Sequence, residues 1–198
     1  LAADCSSLAP SPVASVNVAN IQNCLDSGYA KLSAGVFEVD ATIYLRNGST
    51  LKGSPSRIKL VKPAATLLSI ESNAKASFLN LDANNQTTDK GSAAVSFQGS
   101  DSLLDNSHVY NSKYAGIFFN GAESNSNRVI NSQIHHNFLG VIFRNVYTTS
   151  NVNKIQGSQV RDNYCDGVVF SGFGIASENK IYRNGSDCGN SIPGAGIY

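Results

Sequence analysis

The stretch NRVINSQIHHNFLGVIF runs from Asn127 to Phe143, and NKIQGSQVRDNYCDGVVF runs from Asn153 to Phe170. Both begin with Asn, a basic residue and a β-branched residue, continue through Ser-Gln and a β-branched residue, and end in Gly-Val-x-Phe. Their starts are 26 residues apart. Such self-similarity at a fixed step is typical of a repeat architecture.

The repeat extends in both directions along the chain. Asp101-Ser102-Leu103 precedes the two copies at the same step, and Asn179-Lys180-Ile181 follows them. The Phe-ending strand recurs with looser spacing, which indicates that insertions fall in the loops between strands. Its copies are Ala94-Val95-Ser96-Phe97, Gly116-Ile117-Phe118-Phe119, Gly140-Val141-Ile142-Phe143 and Gly167-Val168-Val169-Phe170.

Each repeat offers three strands that are too short to be stable alone. Stacked coils pair their backbones at a spacing of about 4.8 Å and bury a continuous apolar column. Asn residues at the sharp turns tolerate left-handed backbone. The pattern therefore predicts an all-β fold, a parallel β-helix built as a single-stranded solenoid.

The N-terminal segment has a different pattern. Residues 16–26 place Val18, Ile21 and Leu25 on one face of a short helix, and Gly28 follows as its C-terminal cap. We expect residues 1–30 to form a cap with this helix and residues 31–198 to form the coils. The last coil is expected to be incomplete, since Gly196-Ile197-Tyr198 restarts the Phe strand.

Four cysteines lie as one pair near each end of the chain, which favours disulfides Cys5–Cys24 and Cys165–Cys188 among three connectivities. Disulfides form in oxidising compartments, and the chain starts without Met, as a mature secreted protein does. We therefore expect a secreted protein, extracellular or at the cell surface. Three N-glycosylation sequons stand at Asn47, Asn85 and Asn184.

Composition excludes two classes of partner. The net charge is +1 and charged residues make up 15% of the chain, so no nucleic-acid partner is predicted. Apolar runs stay far below the roughly 20 residues that a membrane-spanning helix needs.

The chain resembles the pectin-lyase-like superfamily of right-handed β-helices. The resemblance covers essentially the whole chain and lies in the entry segments and in the Asn-x-Ile and Gly-Ile-x-Phe repeats. The entry segments are Ile21-Gln22-Asn23-Cys24-Leu25, Leu32-Ser33-Ala34-Gly35-Val36-Phe37, Thr42-Ile43-Tyr44-Leu45 and Thr50-Leu51-Lys52-Gly53. It implies a right-handed coil and no single function, because lyases, hydrolases, epimerases, adhesins and phage spikes share this fold.

Uronate lyases and epimerases of that superfamily need a cation that neutralises the sugar carboxylate and a base that removes the adjacent proton. Arg128, Lys154 and Lys180 lie 26 residues apart in series, and we predict one column of substrate-binding cations. Three like charges at the coil spacing repel each other unless an anion intervenes. The alternative is a solvated face that limits edge pairing.

A second constellation is the turn that holds His135 and His136. The 26-residue step predicts a vertical column of Tyr110, His136 and Asp162, with Arg161 beside His135. These five side chains could supply an acid, a base and a carboxylate clamp. The alternative is a set of hydrogen-bonded turn residues without catalytic function.

No cofactor is predicted from the sequence. The cysteines lack zinc spacing. Ca²⁺ stays an alternative, but Asp162 and Asp166 share one turn with no acidic ladder above or below them, so no metal ligands are assigned.

The residue before the Phe of each Phe strand should point outward. Phe118, Ile142, Val169 and Tyr198 would then form an apolar stripe (these four residues) on the surface. Exposed apolar stripes indicate an interface with another protein or with a covering loop.

Three hypotheses follow for the function. In the first, a secreted β-helix binds an acidic polysaccharide, as a polysaccharide lyase, a C5-epimerase or a binding protein without activity. In the second, the chain is a non-catalytic structural or adhesive subunit that assembles into a homo-oligomer, filament or surface layer through the apolar stripe and the open coil end. In the third, the chain is a fragment whose active site lies in further coils.

Overall fold

The computed structural model describes residues 4–88, 90–120, 124–144, 151–186, 188 and 196–197. This part of the chain contains one helix, α1 (Ala14–Asp26), followed by strands alone. The predicted all-β class with a short N-terminal helix is confirmed, and the helix begins two residues before the expected Val16.

The strand bounds in chain order are β1 Tyr29–Lys31, β2 Gly35–Val39, β3 Ile43–Leu45, β4 Thr50–Leu60, β5 Thr66–Ile70, β6 Lys75–Asp82, β7 Ala93–Phe97, β8 Leu103–Asp105, β9 His108–Tyr110, β10 Ala115–Asn120, β11 Arg128–Ile130, β12 Gln133–His135, β13 Leu139–Arg144, β14 Lys154–Gln156, β15 Gln159–Arg161, β16 Val168–Ser171, β17 Ile175–Ser177 and β18 Lys180–Tyr182.

Every strand pair in the described residues is parallel, as a coil stack requires. The four Phe strands form a six-stranded sheet together with β5 and β3, in the order β16-β13-β10-β7-β5-β3. The other strands form a twelve-stranded sheet that contains the path β17-β14-β11-β8-β6-β9-β12-β15-β18. Because β6 pairs with both β8 and β9, the long strand of the early coils divides into two short strands in the later ones.

Inward side chains of successive coils lie directly above one another. Phe97, Phe119, Phe143 and Phe170 pair in register, and their rings stack at centroid distances of 4.9, 4.8 and 4.9 Å. Val129 pairs with Ile155 in the same way. Apolar burial along these columns holds the solenoid together.

Corners between the strands use left-handed backbone, which Asn adopts at lower cost than most residues. Asn106 and Asn131 have φ values of 46° and 51° at one corner, where Gly157 follows in the next coil. A ladder of asparagine side chains runs beside another corner. The backbone N–H of Asn137 donates to Oδ1 of Asn163, and the backbone N–H of Asn163 donates to Oδ1 of Asn184.

The two predicted disulfides are both present. Cys5–Cys24 ties the N-terminal segment to α1, and Cys165–Cys188 closes a loop in the last coil. The α1 residues Ile21 and Leu25 are buried against the first coil. The single helix of the described part has 13 residues, and no helix there has the length and apolar character to cross a membrane.

The 26-residue step is not constant, and this changes two predicted columns. Ser107 and Ser132 are bonded at a separation of 25 residues, so Tyr110 pairs with His135 and not with His136. In the last coil the step is 21 residues. The connection from β16 to β17, residues 172–174, is shorter than the connection from β13 to β14 in the preceding coil, residues 145–153. Ile175 therefore pairs with Lys154, and Lys180 pairs with Gln159.

Candidate functional site

Outward side chains of β2, β4, β6, β9, β12, β15 and β18 form two parallel files along the coil axis. Inward neighbours such as Val109, Ile134 and Val160 are fully buried, so the residues on either side of them face outward. The first file is Val36, Arg57, Asn80, His108, Gln133, Gln159 and Lys180. The second file is Glu38, Lys59, Asp82, Tyr110, His135, Arg161 and Tyr182. Together these two files form the polar face.

A corner file borders the polar face. Asn111, His136, Asp162 and Arg183 each follow a residue of the second file and have φ values of 59°, 54°, 53° and 52°. Left-handed backbone turns the chain at this point, which brings each corner side chain beside the outward residue that precedes it. The corner file thus adds a third row of polar groups.

All three histidines of the chain meet on this surface. The His135 ring stacks on Tyr110, with centroids 5.1 Å apart and planes 7° apart. His108 meets the edge of His135 at 6.2 Å. Nδ1 of His135 lies 2.8 Å from Nδ1 of His136, a hydrogen-bond distance that requires one ring to donate and the other to accept.

The environment of His135 and of His108 disfavours the imidazolium form. Burial, followed by the nearby Arg161 guanidinium, lowers the pKa of His135 from 6.5 to about 4. Burial and Arg161 also lower the pKa of His108. Near neutral pH both rings are therefore neutral, and each has one protonated and one unprotonated ring nitrogen.

Asp162 links two arginines at the edge of the polar face. Arg183 donates to both carboxylate oxygens, at 2.7 and 2.8 Å, and Arg161 donates to Oδ2 at 2.6 Å. These hydrogen bonds, chiefly those from Arg183, lower the pKa of Asp162 from 3.8 to about 2. Asp162 is thus a permanent anion that orients two guanidinium groups, and it does not act as an acid near neutral pH.

A buried carboxylate that the sequence analysis missed lies one coil before the histidines. Asp82 is fully buried, pairs with Arg57, and accepts a hydrogen bond from Nδ2 of Asn111 at 2.9 Å. Burial raises the pKa of Tyr110, and the Asp82 carboxylate adds to that rise. Arg57 and Asp82 are 25 residues apart in the sequence. Their pairing could be predicted only if the register of β4 and β6 was already known.

The structure brings the predicted catalytic residues together, in a different order from the one expected. Tyr110 stacks on His135, Arg161 lies beside His135 as predicted, and the His136 backbone N–H donates to the carbonyl of Asp162. The predicted Tyr110–His136–Asp162 column is wrong in its first step, because that step is 25 residues. Catalytic roles for these five residues stay predictions.

The predicted cation column is shorter than expected. Arg128 and Lys154 pair in register and line a cleft of about 270 Å³ with Ser126, Asn151 and Ile175. Ile175 occupies the place predicted for Lys180. Because the last coil is shorter, Lys180 lies in the first file of the polar face. It follows Gln133 and Gln159 in that file.

The predicted exposure of the apolar stripe is wrong. Phe118 and Ile142 are 2% and 4% exposed, and they pack with Ala93, Ala115 and Leu139 in a second apolar cluster outside the coil interior. Val169 packs against the same cluster. Tyr198 lies outside the described residues. Phe118 and Ile142 are thus covered within the chain, Val169 is half-buried, and an interface at this stripe stays a prediction.

Metal-binding and glycosylation candidates are constrained by existing bonds. Within the described residues, the one group of three clustered donors is Cys165, Asp166 and Cys188, whose sulfurs are joined in a disulfide. The Asn184 side chain is engaged in the amide ladder. Asn47 and Asn85 are exposed, and modification at any sequon stays a prediction.

Comparisons with known proteins address the fold. Residues 41–198 match the family model described as right handed beta helix region. A search of curated proteins found no match. Among solved structures, ORF18 of Geobacillus virus E2 is similar with a TM-score of 0.67 and 16% identity, over 91% of this chain and 42% of that one.

A second solved structure is the A-module of mannuronan C-5 epimerase AlgE4 from Azotobacter vinelandii. It matches with a TM-score of 0.39 and 15% identity, over 85% of this chain and 74% of that one. At these identities the likeness concerns the fold alone. This chain spans less than half the length of the viral protein.

Proposed function

Because the chain belongs to the right handed beta helix family, we propose that it is a secreted, carbohydrate-associated protein whose polar face binds an acidic polysaccharide. The observation that carries this proposal is the convergence of all three histidines with Tyr110 and Arg161 on one outward sheet face. Two disulfides support an oxidising, extracellular setting.

Cations of the polar face support an anionic ligand. No carboxylate lies within ion-pair distance of Lys180 in the described part of the chain. Arg161 and Arg183 share the single carboxylate of Asp162, so this trio carries a net positive charge. A polymer that lies along the coil axis would place successive carboxylates near these groups on adjacent coils.

The histidine pair supports proton abstraction next to a uronate carboxylate. In the tautomer in which His136 donates its Nδ1–H to Nδ1 of His135, Nε2 of His136 keeps a free lone pair. In the proposed step, Nε2 takes the proton at C5 of the sugar while an arginine stabilises the charge that moves onto the carboxylate. In a lyase, the electron pair left at C5 then forms the C4–C5 double bond as the C4–O bond breaks, and the leaving oxygen takes up a proton from water. In an epimerase, a proton returns to the other face of C5.

Binding is tested with alginate, polygalacturonate and heparin at low salt by calorimetry. We expect affinity for at least one polymer and weakening as salt screens the charges. Absence of binding to all three contradicts the proposal.

Catalysis is tested in D₂O with the polymer that binds. Absorbance of unsaturated products reports a lyase, and deuterium at C5 reports an epimerase. His136→Asn keeps a residue suited to left-handed backbone and should lower the rate at least 100-fold. Ser126→Asn, at a corner off the polar face with φ 55°, is the control. An unchanged rate in the His136→Asn variant would show that His136 is not the catalytic base.

The second function considered is assembly without catalysis, and one observation favours it. Phe173, Ile175 and Ile197 of the last coil are 49%, 39% and 56% exposed. Exposed apolar side chains on the last coil favour contact with another subunit. Light scattering tests this: the assembly hypothesis predicts oligomers that Ile175→Lys disrupts, and a strict monomer contradicts it.

A further inference from the structure

A cleft of about 510 Å³ opens where β4 and β6 lose register. Lys52 pairs with Ser77 and Ser56 pairs with Leu79, so residues 53–55 of β4 oppose Phe78 alone. Gly53 is required there, because a Cβ at this position would lie 2.0 Å from the Phe78 carbonyl oxygen. The cleft is therefore built by the backbone of two strands and does not depend on loop placement.

Phe78 is an unusual residue for its position. It has a φ of 57°, at a corner that Asn106, Asn131 and Gly157 occupy in later coils. Left-handed backbone is costly for a bulky aromatic residue. The side chain is also 48% exposed, so neither local conformation nor burial favours phenylalanine here. Strain combined with an exposed ring indicates a binding role.

Beside the ring, the cleft is lined by the apolar residues Pro55 and Leu79, by several polar groups and by one cation. Lys52 Nζ lies 5.7 Å from the Phe78 ring centroid, and no carboxylate of the described residues pairs with it. The polar part of the lining includes Asn80, Asn106 and His108. One aromatic face, one cation and hydrogen-bonding amides match a sugar ring that carries a carboxylate.

We infer that this cleft is a subsite for one hexuronate residue, whose apolar ring face packs on Phe78 and whose carboxylate accepts hydrogen bonds from Lys52. The inference rests on the proposed binding of an acidic polysaccharide, because Asn80 and His108 belong both to the cleft and to the first file of the polar face. A polymer would thus run from the cleft along that file towards Lys180.

The test uses the methyl glycosides of galacturonate and mannuronate, with methyl glucoside as the neutral reference, and follows amide NMR shifts of the whole chain. We expect uronate-specific shifts at residues 53–55, 78–80 and 106–108. Phe78→Asn and Lys52→Met should each weaken binding about tenfold. Phe173→Asn, which removes an equally exposed ring elsewhere, should leave binding unchanged.

Stability separates a binding role from a structural one. Phe78→Asn installs the residue type of the neighbouring corners, so its melting temperature should equal or exceed that of the unmodified chain. A ring that mattered for folding would lower it. Lys52 is exposed, so Lys52→Met gives an independent readout that does not depend on this corner.

Failure of the subsite and failure of the proposed function have different signatures. If a polyuronate binds and both variants bind it as well as the unmodified chain does, the subsite is wrong and the polar face remains. If no polymer binds but the uronate glycosides still shift the cleft, the proposed function is wrong and the subsite stands. If neither ligand binds, both are wrong.

Discussion

His135 is a half-buried histidine on the polar face, and burial is the main cause of its shifted pKa. It is stacked on Tyr110, bonded to His136 and close to Arg161, and its pKa falls from 6.5 to about 4. Between these two pH values, His135 is therefore protonated in the unfolded chain and neutral in the folded chain. Folding stability must fall as the pH drops from about 6.5 to about 4.

We predict that His135→Gln flattens this part of the stability curve. Gln cannot titrate, so the melting temperature of the variant should change less between pH 6.5 and 4 than that of the unmodified chain. Thermal unfolding at half-unit pH steps measures the difference. Equal slopes in the two proteins would mean that His135 titrates normally in the folded state.

Asp162 provides an internal comparison in a separate pH window. Its pKa is depressed from 3.8 to about 2, so its contribution is present above about 3.8 and is lost as the pH falls towards about 2. Asp162→Asn should lower the stability above about pH 3.8 and flatten the slope of the curve between about 3.8 and about 2, whereas His135→Gln flattens the slope between about 6.5 and about 4.

At the scale of the element, the buried amide ladder holds the corners of adjacent coils together. Nδ2 of Asn137 donates to the carbonyls of Val109 and His135, and its Oδ1 accepts from the N–H of Ser112. Removing this side chain would leave several buried backbone groups without partners, which costs more than the hydrogen bonds themselves contribute.

We predict that Asn137→Ala destabilises the protein by about 3 kcal/mol in urea unfolding. Asn131→Gly is the control, since Asn131 is exposed and Gly157 occupies the same corner one coil later. The control should stay within about 0.5 kcal/mol of the unmodified chain. Similar losses in both variants would contradict a special role for the buried ladder.

The strands and disulfides could be predicted from the sequence because they depend on local alternation and on cysteine spacing. The neighbours of Tyr110 and Lys180 could not, because a change of one residue in a loop shifts the pairing of every residue after it. Burial of Phe118 was also inaccessible, since periodicity identifies an outward side chain but not what packs over it. Asp82 and Phe78 belong to no repeat, so no pattern marked them.

At the scale of the whole molecule, the solenoid converts a sequence repeat into rows of functional groups. The same stacking that pairs Phe97, Phe119, Phe143 and Phe170 on the inside aligns the polar face on the outside. The last coil contributes Lys180 and Arg183 and is closed by Cys165–Cys188. Binding of a long polyanion would therefore depend on groups from at least four coils.

The central claim is that an acidic polysaccharide lies on the polar face, and mapping amide NMR shifts with the tightest-binding polyuronate tests it most directly. We predict shifts in the first and second files and the corner file, centred on residues 108–111, 133–136, 159–162 and 180–183. Residues 128–130 and 154–156, which carry Arg128 and Lys154, should stay unperturbed. Shifts concentrated at those two segments, with no shifts in the three files that contain the histidines, would contradict binding of the polysaccharide at the polar face.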